Sequence, residues 1–404
     1  MVIRADNGGF RQGRHVMNYF VLNPLDPLII RSSRPFEAIS DAEAAKFPPP
    51  STIAGALRNI HGRTIGIDFN DRNNQEQLNS LLEVPVTGPL AVKIPLDQSV
   101  SKLEQRHILV PKPADAQYFA VDNKPTLVGL QPLQPNEDEG CDLPNGLLPL
   151  FLSQDIEGKP VSGPKWWSLT DLLKWRKGEK LEFSDIEKGG WTPTEPDIRT
   201  HVERDNETLN SVDGQIFQTT GLTMWQQPDQ PQNFPSERVA ILAGIDGKVS
   251  LQAMNLGGER RLADVTDCEV WPRPPENFAQ EIISAGGLIL TFLTPTIFAN
   301  GWRPKWLDKG IPPGCEHLHL ELKAAAVDRW QPQSGWDLAS NKPRASERMI
   351  LAGATYWFAI VDGTASEQEI EKLWMAHLCD DKQHNLNGFG LTLPMAYSWN
   401  ESKN

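Results

Sequence analysis

The hydrophobic pattern predicts strand, helix, strand and strand at the start of the chain. Apolar runs at residues 17–22, 90–96 and 107–110 are typical of short strands. Between the first two runs, apolar residues recur with a helical period over residues 51–60, which gives a helix with one buried stripe. This order is that of the first half of a ferredoxin-like β-α-β-β-α-β unit.

A similar coarse order returns in the second half of the chain. The pattern predicts a helix over residues 277–284 and strands over 288–293 and 349–360. The Asp246-Gly247 pair between two apolar runs predicts a hairpin turn. We therefore predict an α+β fold of two ferredoxin-like (RRM-like) β-α-β-β-α-β units with long insertions.

Two domains and one large insertion follow from this pattern. The N-terminal ferredoxin-like domain is predicted over 1–235, and the C-terminal one over 236–404, ending in a glycine-rich loop. Residues of about 111–196 are dense in proline, glycine and charge without strong periodicity, which is typical of an insertion. Its Trp166-Trp167 pair either packs in the core, which the usual burial of aromatics favours, or docks on another subunit. The role of the insertion stays open.

The charge of the chain argues against a free-standing nucleic-acid binder. Its 404 residues carry a net charge of −13 and a pI of about 5.2, whereas such binders are normally basic. A local basic groove stays compatible with this charge, because phosphate contacts depend on local cations. The four cysteines form no CxxC pair, and the chain shows no leader and no long apolar span. These features favour a cytoplasmic protein without a zinc ribbon or redox site.

The stretch from Phe47 to Arg58 joins three prolines to the predicted helix. The prolines fix an extended entry, and Ser51 stands where a helix N-cap is expected. Gly55 inside the helix costs about 1 kcal/mol relative to alanine, which is understandable if another backbone or a ligand passes close to it. The helix N-terminus, with Arg58 about two turns on, could bind phosphate. A well-capped core helix is the alternative.

Two glycine-containing loops offer further candidate chemistry. Asn255–Arg261 contains paired glycines that allow close backbone approach, followed by two arginines that can donate to phosphate in bidentate fashion. A strained turn whose arginines pair with Glu259 or solvent is the alternative. Gly388–Gly390 can wrap a backbone and offer N–H donors, although a Gly-x-Gly sequence alone is a weak signal.

Five ordered blocks from about Leu25 to Gly390 resemble the third subunit of Cmr-type (type III-B) CRISPR effectors. The blocks include Pro-Pro-Pro-Ser-Thr with Ala-Gly-Ala-Leu-Arg, Leu-Gly-Gly-Glu-Arg, Gly-Trp-Arg-Pro and the final Gly-Phe-Gly. That family belongs to the RAMP superfamily and is similar to the CRISPR subunit that caps the 5′ end of the guide RNA. The resemblance implies a non-catalytic RNA-binding subunit of an antiviral ribonucleoprotein, with no cofactor.

The resemblance also implies partners and contact residues. The partners are the 5′ tag of the guide RNA (crRNA), the large cyclase-like CRISPR subunit and the first backbone RAMP subunit, without a membrane. No catalytic residue and no metal ligand is predicted. Phe389 is expected to stack on a base. The candidate RNA-binding residues are Ser51, Thr52, Arg58, Arg199, His201, Arg204, Gly257, Gly258, Arg260, Arg261, Gly388, Phe389 and Gly390.

Other functions stay open at this point. A metal-independent RAMP endoribonuclease that processes precursor guide RNA would use His201 or His61, or else His15, as general base, but no partner is visible for any of them. A protein-only scaffold is a further alternative. His317 and His319 would share one face of a strand and could bind a metal, but without an evident third ligand a solvated face is favoured.

Overall fold

The computed structural model describes residues 17–30, 45–135, 140, 142–144, 146–225, 236–337 and 342–399. Within these ranges the protein is a mixed α/β structure with seven α-helices, and all paired strands run antiparallel. This confirms the coarse prediction of a fold that combines helices with antiparallel sheets. No helix in the described ranges is both long and apolar enough to cross a bilayer.

The helices and strands have the following bounds. The helices are α1 (Pro50–Thr64), α2 (Gln75–Leu82), α3 (Leu169–Arg176), α4 (Phe183–Gly189), α5 (Phe278–Ala285), α6 (Glu367–Glu371) and α7 (Lys382–Leu386). The strands are β1 (Asn18–Pro24), β2 (Leu28–Ile29), β3 (Val86–Pro95), β4 (Ile108–Pro111), β5 (Ala116–Val121), β6 (Lys124–Pro132), β7 (Leu150–Leu152), β8 (Lys159–Pro160), β9 (Trp166–Ser168), β10 (Asp197–Arg204), β11 (Ser211–Leu222), β12 (Glu237–Ile245), β13 (Met254–Asn255), β14 (Leu262–Cys268), β15 (Gly287–Phe292), β16 (Thr296–Ile297), β17 (Leu320–Ala326), β18 (Gln331–Gln333), β19 (Trp336–Asp337), β20 (Lys342–Pro343), β21 (Glu347–Ile350), β22 (Thr355–Ile360) and β23 (Thr392–Ala396).

The first large sheet has the order β13-β14-β1-β12-β3-β4-β9. Helix α1 packs on it because Ile53 and Leu57, on the predicted apolar stripe, are fully buried against Phe20 and Leu22 of β1. The central order β14-β1-β12-β3 is the order that a β-α-β-β-α-β unit requires. The second helix of such a unit is missing, because residues 246–261 form turns and the short strand β13 instead.

The second large sheet has the order β17-β22-β15-β23, which is again the strand order of a β-α-β-β-α-β unit. Helices α6 and α7 connect β22 to β23, but the only helical segment between β15 and β17 is a 3₁₀ turn at Lys305–Asp308. Each sheet therefore has the expected strand order and lacks one full helix. The two ferredoxin-like units stay a prediction.

The boundary expected between residues 235 and 236 does not coincide with the division between the sheets. Strands β12 and β14, which follow that boundary, pair directly with β1 inside the first sheet. The second sheet takes its strands from residue 287 onward. The first sheet therefore includes β12, which lies between β1 and β3, and β14, which ends at Cys268. The division between the two sheets lies after that residue.

The predicted insertion packs on both large sheets. Strand β9 extends the first sheet through β4, while β5 to β8 form a separate small sheet. Trp166 and Trp167 are buried, which confirms that they belong to the core. The Leu148 amide donates to the Lys323 carbonyl of β17 at 2.7 Å. The insertion is thus a structural bridge between the two halves of the chain.

Two local predictions are wrong. The Asp246-Gly247 turn does not close a hairpin, since β12 pairs with β1 and β3 and the chain after the turn is irregular. The strand expected over 349–360 is split into β21 and β22 by a turn over residues 351–354. In both cases the apolar pattern of the sequence does not indicate where strand pairing stops.

Candidate nucleic-acid interface

One face of the β10–β11 hairpin carries an arginine beside a stacked aromatic pair. Arg199 and His201 lie opposite Thr219 and Phe217 in the ladder, so these four side chains share a face. The His201 ring stacks on the Phe217 ring at 5.1 Å and 15°, and its Nε2 lies 2.8 Å from the Thr219 hydroxyl. Arg199 donates to Asp197 at 2.9 and 2.7 Å. A flat aromatic surface beside a guanidinium is suited to an unpaired base and its phosphate.

The opposite face of the same hairpin, called the aliphatic face below, carries three exposed aliphatic side chains among threonines and Gln218. Ile198, Val202 and Ile216 alternate with the polar face and are each exposed over more than half of their surface. Arg204 lies beyond a bulge in the ladder and is exposed. The hairpin therefore presents two chemically different surfaces.

The glycine loop between β13 and β14 turns tightly over β2. The Gly258 amide donates to the Ile29 carbonyl at 2.7 Å. A Cβ on Gly257, whose φ is +79°, would come within 2.7 Å of the same oxygen. Glu259 and Arg260 also have left-handed φ values of 52° and 53°. The close backbone approach expected at Gly257 and Gly258 is thus made by the protein's own strand.

The hairpin and the glycine loop meet at Asp26, just before β2. Strand β11 pairs with β2, and Arg261 Nη1 lies 3.7 Å from Asp26 Oδ2. The Asp197 carboxylate, with a smaller contribution from Asp26, raises the pKa of Arg199. Arg261 is largely buried, whereas Arg260 is exposed and has no ion pair among the described residues. The hairpin–loop surface consists of Arg199, His201, Phe217 and Gly257–Arg261.

Helix α1 begins one residue earlier than predicted. Pro49 is its N-cap, Pro50 is its first residue, and the Thr52 amide donates to the Pro49 carbonyl at 3.0 Å. Ser51 is therefore in the first turn rather than at the cap, and both Ser51 and Thr52 are half-buried. Gly55 is exposed, and nothing in the described protein lies within 4 Å of where its Cβ would be.

Arg58 is buried and hydrogen-bonded to protein groups. Its side chain donates to the Val84 carbonyl at 3.0 and 2.9 Å, to the Leu386 carbonyl at 2.8 Å and to Asn387 Oδ1 at 2.5 Å. Burial lowers its pKa to about 10, against the opposing charge of Glu83. The expected phosphate contact at Arg58 is therefore corrected to a structural link, because protein oxygens occupy its donors.

The Gly388–Gly390 loop wraps the protein itself. A Cβ on Gly388 would collide with the backbone of Gly88 at the start of β3, and one on Gly390 would lie 2.8 Å from Cys379 Sγ. Phe389 is only 2% exposed and packs with Ile297 and Met349. The expected base stacking at Phe389 is corrected to core packing, because the ring has no free face.

The thirteen predicted residues therefore fall into separate groups. One group lies on the two elements that contact β2, the hairpin and the glycine loop. Its members are Arg199, His201, Gly257, Gly258, Arg260 and Arg261, with exposed Arg204 nearby in sequence. Arg58 and the Gly388–Gly390 loop form an internal clasp between the two halves of the chain. A single cleft containing all of them is not observed.

The sequence of the chain decides its family. The model of the family described as CRISPR-associated protein (Cas_Cmr3) matches residues 20–396. This chain belongs to the Cmr3 family. The resemblance to the third subunit of Cmr-type effectors is confirmed, and the Cmr3-family chain is a subunit of a type III CRISPR effector.

The Cmr3-family chain is similar to chains in solved CRISPR assemblies. Two come from cryo-EM structures of the Type III-B Cmr-beta bound to cognate target RNA, one of them also with AMPPnP, at 16% and 17% identity. Each alignment covers 84% of this chain and 86% of the other, with a TM-score of 0.44. A chain of the type III-A Csm3-Csm4 subcomplex has 12% identity and a TM-score of 0.33, covering 86% of this chain and 94% of the other. No curated protein matches.

The two described histidines considered as a general base, His61 and His201, each contact other groups of the protein. His61 Nδ1 lies 2.8 Å from the Lys248 carbonyl. Among the described residues, His201 has a hydrogen bond with Thr219 and a ring contact with Phe217 and no other contact of either kind. His317 precedes β17 rather than lying in it, and the described residues contain no group of three or more potential metal ligands. His15 lies outside the described residues.

Sequence reasoning did not single out Phe217, which the structure places in this candidate site. Its importance depends on being opposite His201, and that register depends on the connection at residues 205–210 and the bulge after Val202. Alternation along β11 could have assigned Phe217 to a face, but not to its cross-strand partner.

Proposed function

We propose that the chain is a non-catalytic, RNA-binding subunit of a type III-B CRISPR effector that holds the 5′ tag of the guide RNA. It docks the large cyclase-like subunit and contacts the first backbone RAMP subunit in antiviral defence. The observation that carries the RNA contact is the hairpin–loop surface: the hairpin that bears the stacked His201 and Phe217 rings pairs with β2, and the arginine-bearing glycine loop turns over the same strand.

The chemistry of this surface supports binding to a single strand. Stacked rings accept bases with little sequence preference, and the exposed Arg260, with Arg199, supplies charge for phosphate. Arg260 is exposed and follows Glu259 in a left-handed stretch of backbone. Ser51, Thr52 and Arg204 remain proposed contacts, while Arg58 and the Gly388–Gly390 loop belong to the separate internal clasp.

The aliphatic face of the hairpin supports a protein partner on the other side. Ile198, Val202 and Ile216 expose apolar surface, and its burial by a neighbouring subunit would make the free energy of association more favourable. A hairpin placed between RNA and protein would use both of its faces. This accounts for two long, largely exposed strands that pack little against the rest of the chain.

Binding of guide RNA to the purified chain tests the proposal. We expect Arg199→Ala with Arg260→Ala to weaken binding of tagged guide RNA about tenfold and to reduce its salt dependence by about two phosphate contacts. His201→Ala with Phe217→Ala should weaken binding with no change in salt dependence. Arg106→Ala, at an exposed arginine paired with Glu104, is the matched control.

Two results would overturn the proposal. Unchanged affinity in both double variants would leave the surface without an RNA contact. Specific cleavage of precursor guide RNA in EDTA, lost in His201→Ala, would instead show an endoribonuclease.

A further inference from the structure

A groove in the second half of the chain presents two exposed tryptophans and two arginines that the proposed function does not use. Its volume is about 380 Å³, within the range of small-ligand sites. It lies on the small sheet β16-β21-β18, with the buried Ile350 of β21 among its lining residues. The other lining residues are Asn300, Gly301, Trp302, Val327, Asp328, Arg329, Trp330 and Arg348.

The loop that carries Trp302 is tightly built. Isolated bridges join Phe298 to Gly301 and Asn300 to Arg303, and the Tyr356 hydroxyl donates to the Trp302 carbonyl at 2.6 Å. These contacts fix the backbone while leaving the indole 37% exposed. An exposed ring on a fixed backbone loses little conformational entropy when it binds.

The opposite part of the groove carries Trp330, which is 51% exposed. It precedes β18, which pairs with β21 and so brings Arg348 beside it. The Arg348 guanidinium lies over the Trp330 ring at 5.3 Å from its centroid. This cation–π contact orders the guanidinium without neutralising its charge.

The groove is locally cationic in an acidic chain. Arg329 and Arg348 are exposed and have no ion pair among the described residues. Asp328 is the one acid among the lining residues, and its carboxylate interacts electrostatically with the buried ammonium of Lys112. An occupant that is both anionic and able to stack on indole matches this composition.

We propose that this groove binds an unpaired nucleotide of single-stranded RNA, with its base on an indole and its phosphate at Arg329 and Arg348. The occupant is RNA rather than a protein segment because the uncompensated cations and the exposed aromatic rings occur in the same small groove. This is a second RNA contact, beyond the proposed hold on the guide tag. It does not require that proposal to be correct.

Binding of a short fluorescein-labelled oligoadenosine RNA without tag sequence tests the groove in the full chain. We expect Trp330→Ala to weaken binding at least about fivefold, as loss of a stacked base does, and Trp330→Phe to retain most of it. Arg329→Gln should lower the salt dependence by about one phosphate contact. A 4-thiouridine RNA should crosslink at Trp302 or Trp330.

Matched controls are Phe151→Ala, at an exposed aromatic in the insertion, and Arg106→Gln. Equal weakening by the controls, or unchanged binding in Trp330→Ala and Trp302→Ala with a native unfolding transition, would overturn the inference. If the tryptophan variants lost binding to a purified effector subunit but kept their affinity for RNA, the groove would have a protein occupant and the inference would be overturned. Variants at Arg199 and Arg260 test the tag proposal separately, since they leave this groove unaltered.

Discussion

Arg58 on α1 donates a hydrogen bond of 2.5 Å to the Asn387 side chain, although 329 residues separate the two. Asn387 immediately precedes Gly388, whose close contact with β3 needs a residue without a Cβ. The helix of the first sheet therefore holds the glycine-rich loop that leads into the last strand of the second sheet. This internal clasp explains why an arginine and a glycine loop that resemble an RNA site are buried.

Replacing Arg58 should destabilise the fold without changing the RNA site. Arg58→Met removes the donor to the Val84 and Leu386 carbonyls and leaves Asn387 Oδ1 with only the bond from Gln383, so we expect the free energy of unfolding to fall by about 3 kcal/mol. Urea unfolding measures this loss, with Arg106→Met as the exposed control. The dissociation constant of guide RNA for the folded protein should stay unchanged. Weaker RNA binding at unaltered stability would contradict the clasp.

The same clasp should be sensitive to mild acid through His377. Its Nδ1 donates to the Phe389 carbonyl at 2.9 Å and its Nε2 accepts from the Thr87 hydroxyl at 3.0 Å. Burial lowers the pKa of His377 to about 4, although the bond to the carbonyl opposes this shift. Below the ordinary pKa of about 6.5, the unfolded chain takes up a proton that the folded chain does not. The stabilisation is therefore complete above that pH and is lost as the pH falls toward 4.

Unfolding in urea at pH 7 and pH 5 measures the contribution of His377. We expect the wild type to lose about 1–2 kcal/mol more than His377→Gln between these pH values, because glutamine does not titrate there. An equal loss in both proteins would assign the acid sensitivity to other groups.

The sequence predicted local elements where the hydrophobic period is strong. Helix α1 and the edges of α5 follow from apolar spacing. What the pattern could not show was which strands pair. The place of β12 between β1 and β3 depends on contacts more than a hundred residues apart in sequence, so the pattern could not show where the two sheets divide, and the domain boundary stays a prediction.

The site was predicted less well, because glycine and arginine have the same signature in a clasp and in an RNA contact. Gly257 and Gly388 both have positive φ and both meet a backbone, but the backbone in each case is the protein's own. Arg58 is buried and Arg260 is exposed. This difference depends on which strands pair, and a single sequence does not reveal the pairing.

A buried ion pair joins the insertion to the second sheet and predicts a large stability effect. Arg176 donates to both oxygens of Asp115 at 2.7 and 2.8 Å and also to Thr291 and Thr355. Burial alone would raise the pKa of Asp115, but the Arg176 charge and the hydrogen bonds, including one from Trp175, hold it below its ordinary value. This stabilisation is present above the ordinary pKa of the carboxyl and is lost as the pH falls below it.

We expect Asp115→Asn to lower the free energy of unfolding by about 3–5 kcal/mol, because Arg176 is left buried without its counter-ion. The double variant Asp115→Leu with Arg176→Met should lose less, and urea unfolding of the cycle measures the coupling. Additive losses would show that the pair is not coupled.

Gly55 gives the sharpest separation between folding and binding. It lies inside α1, where alanine is favoured by about 1 kcal/mol, and the described protein leaves open space around its Cβ position. Gly55→Ala should therefore raise the free energy of unfolding by about 0.5–1 kcal/mol in the isolated chain. A ligand backbone that passes over this open face would meet the added methyl group, so the same variant should then bind guide RNA or a partner subunit more weakly despite being more stable. Thermal unfolding and RNA anisotropy on one preparation measure both effects, with Asn59→Ala on the exposed part of the same helix as control. A variant that gains stability and loses no binding would show that nothing approaches Gly55 in the assembly.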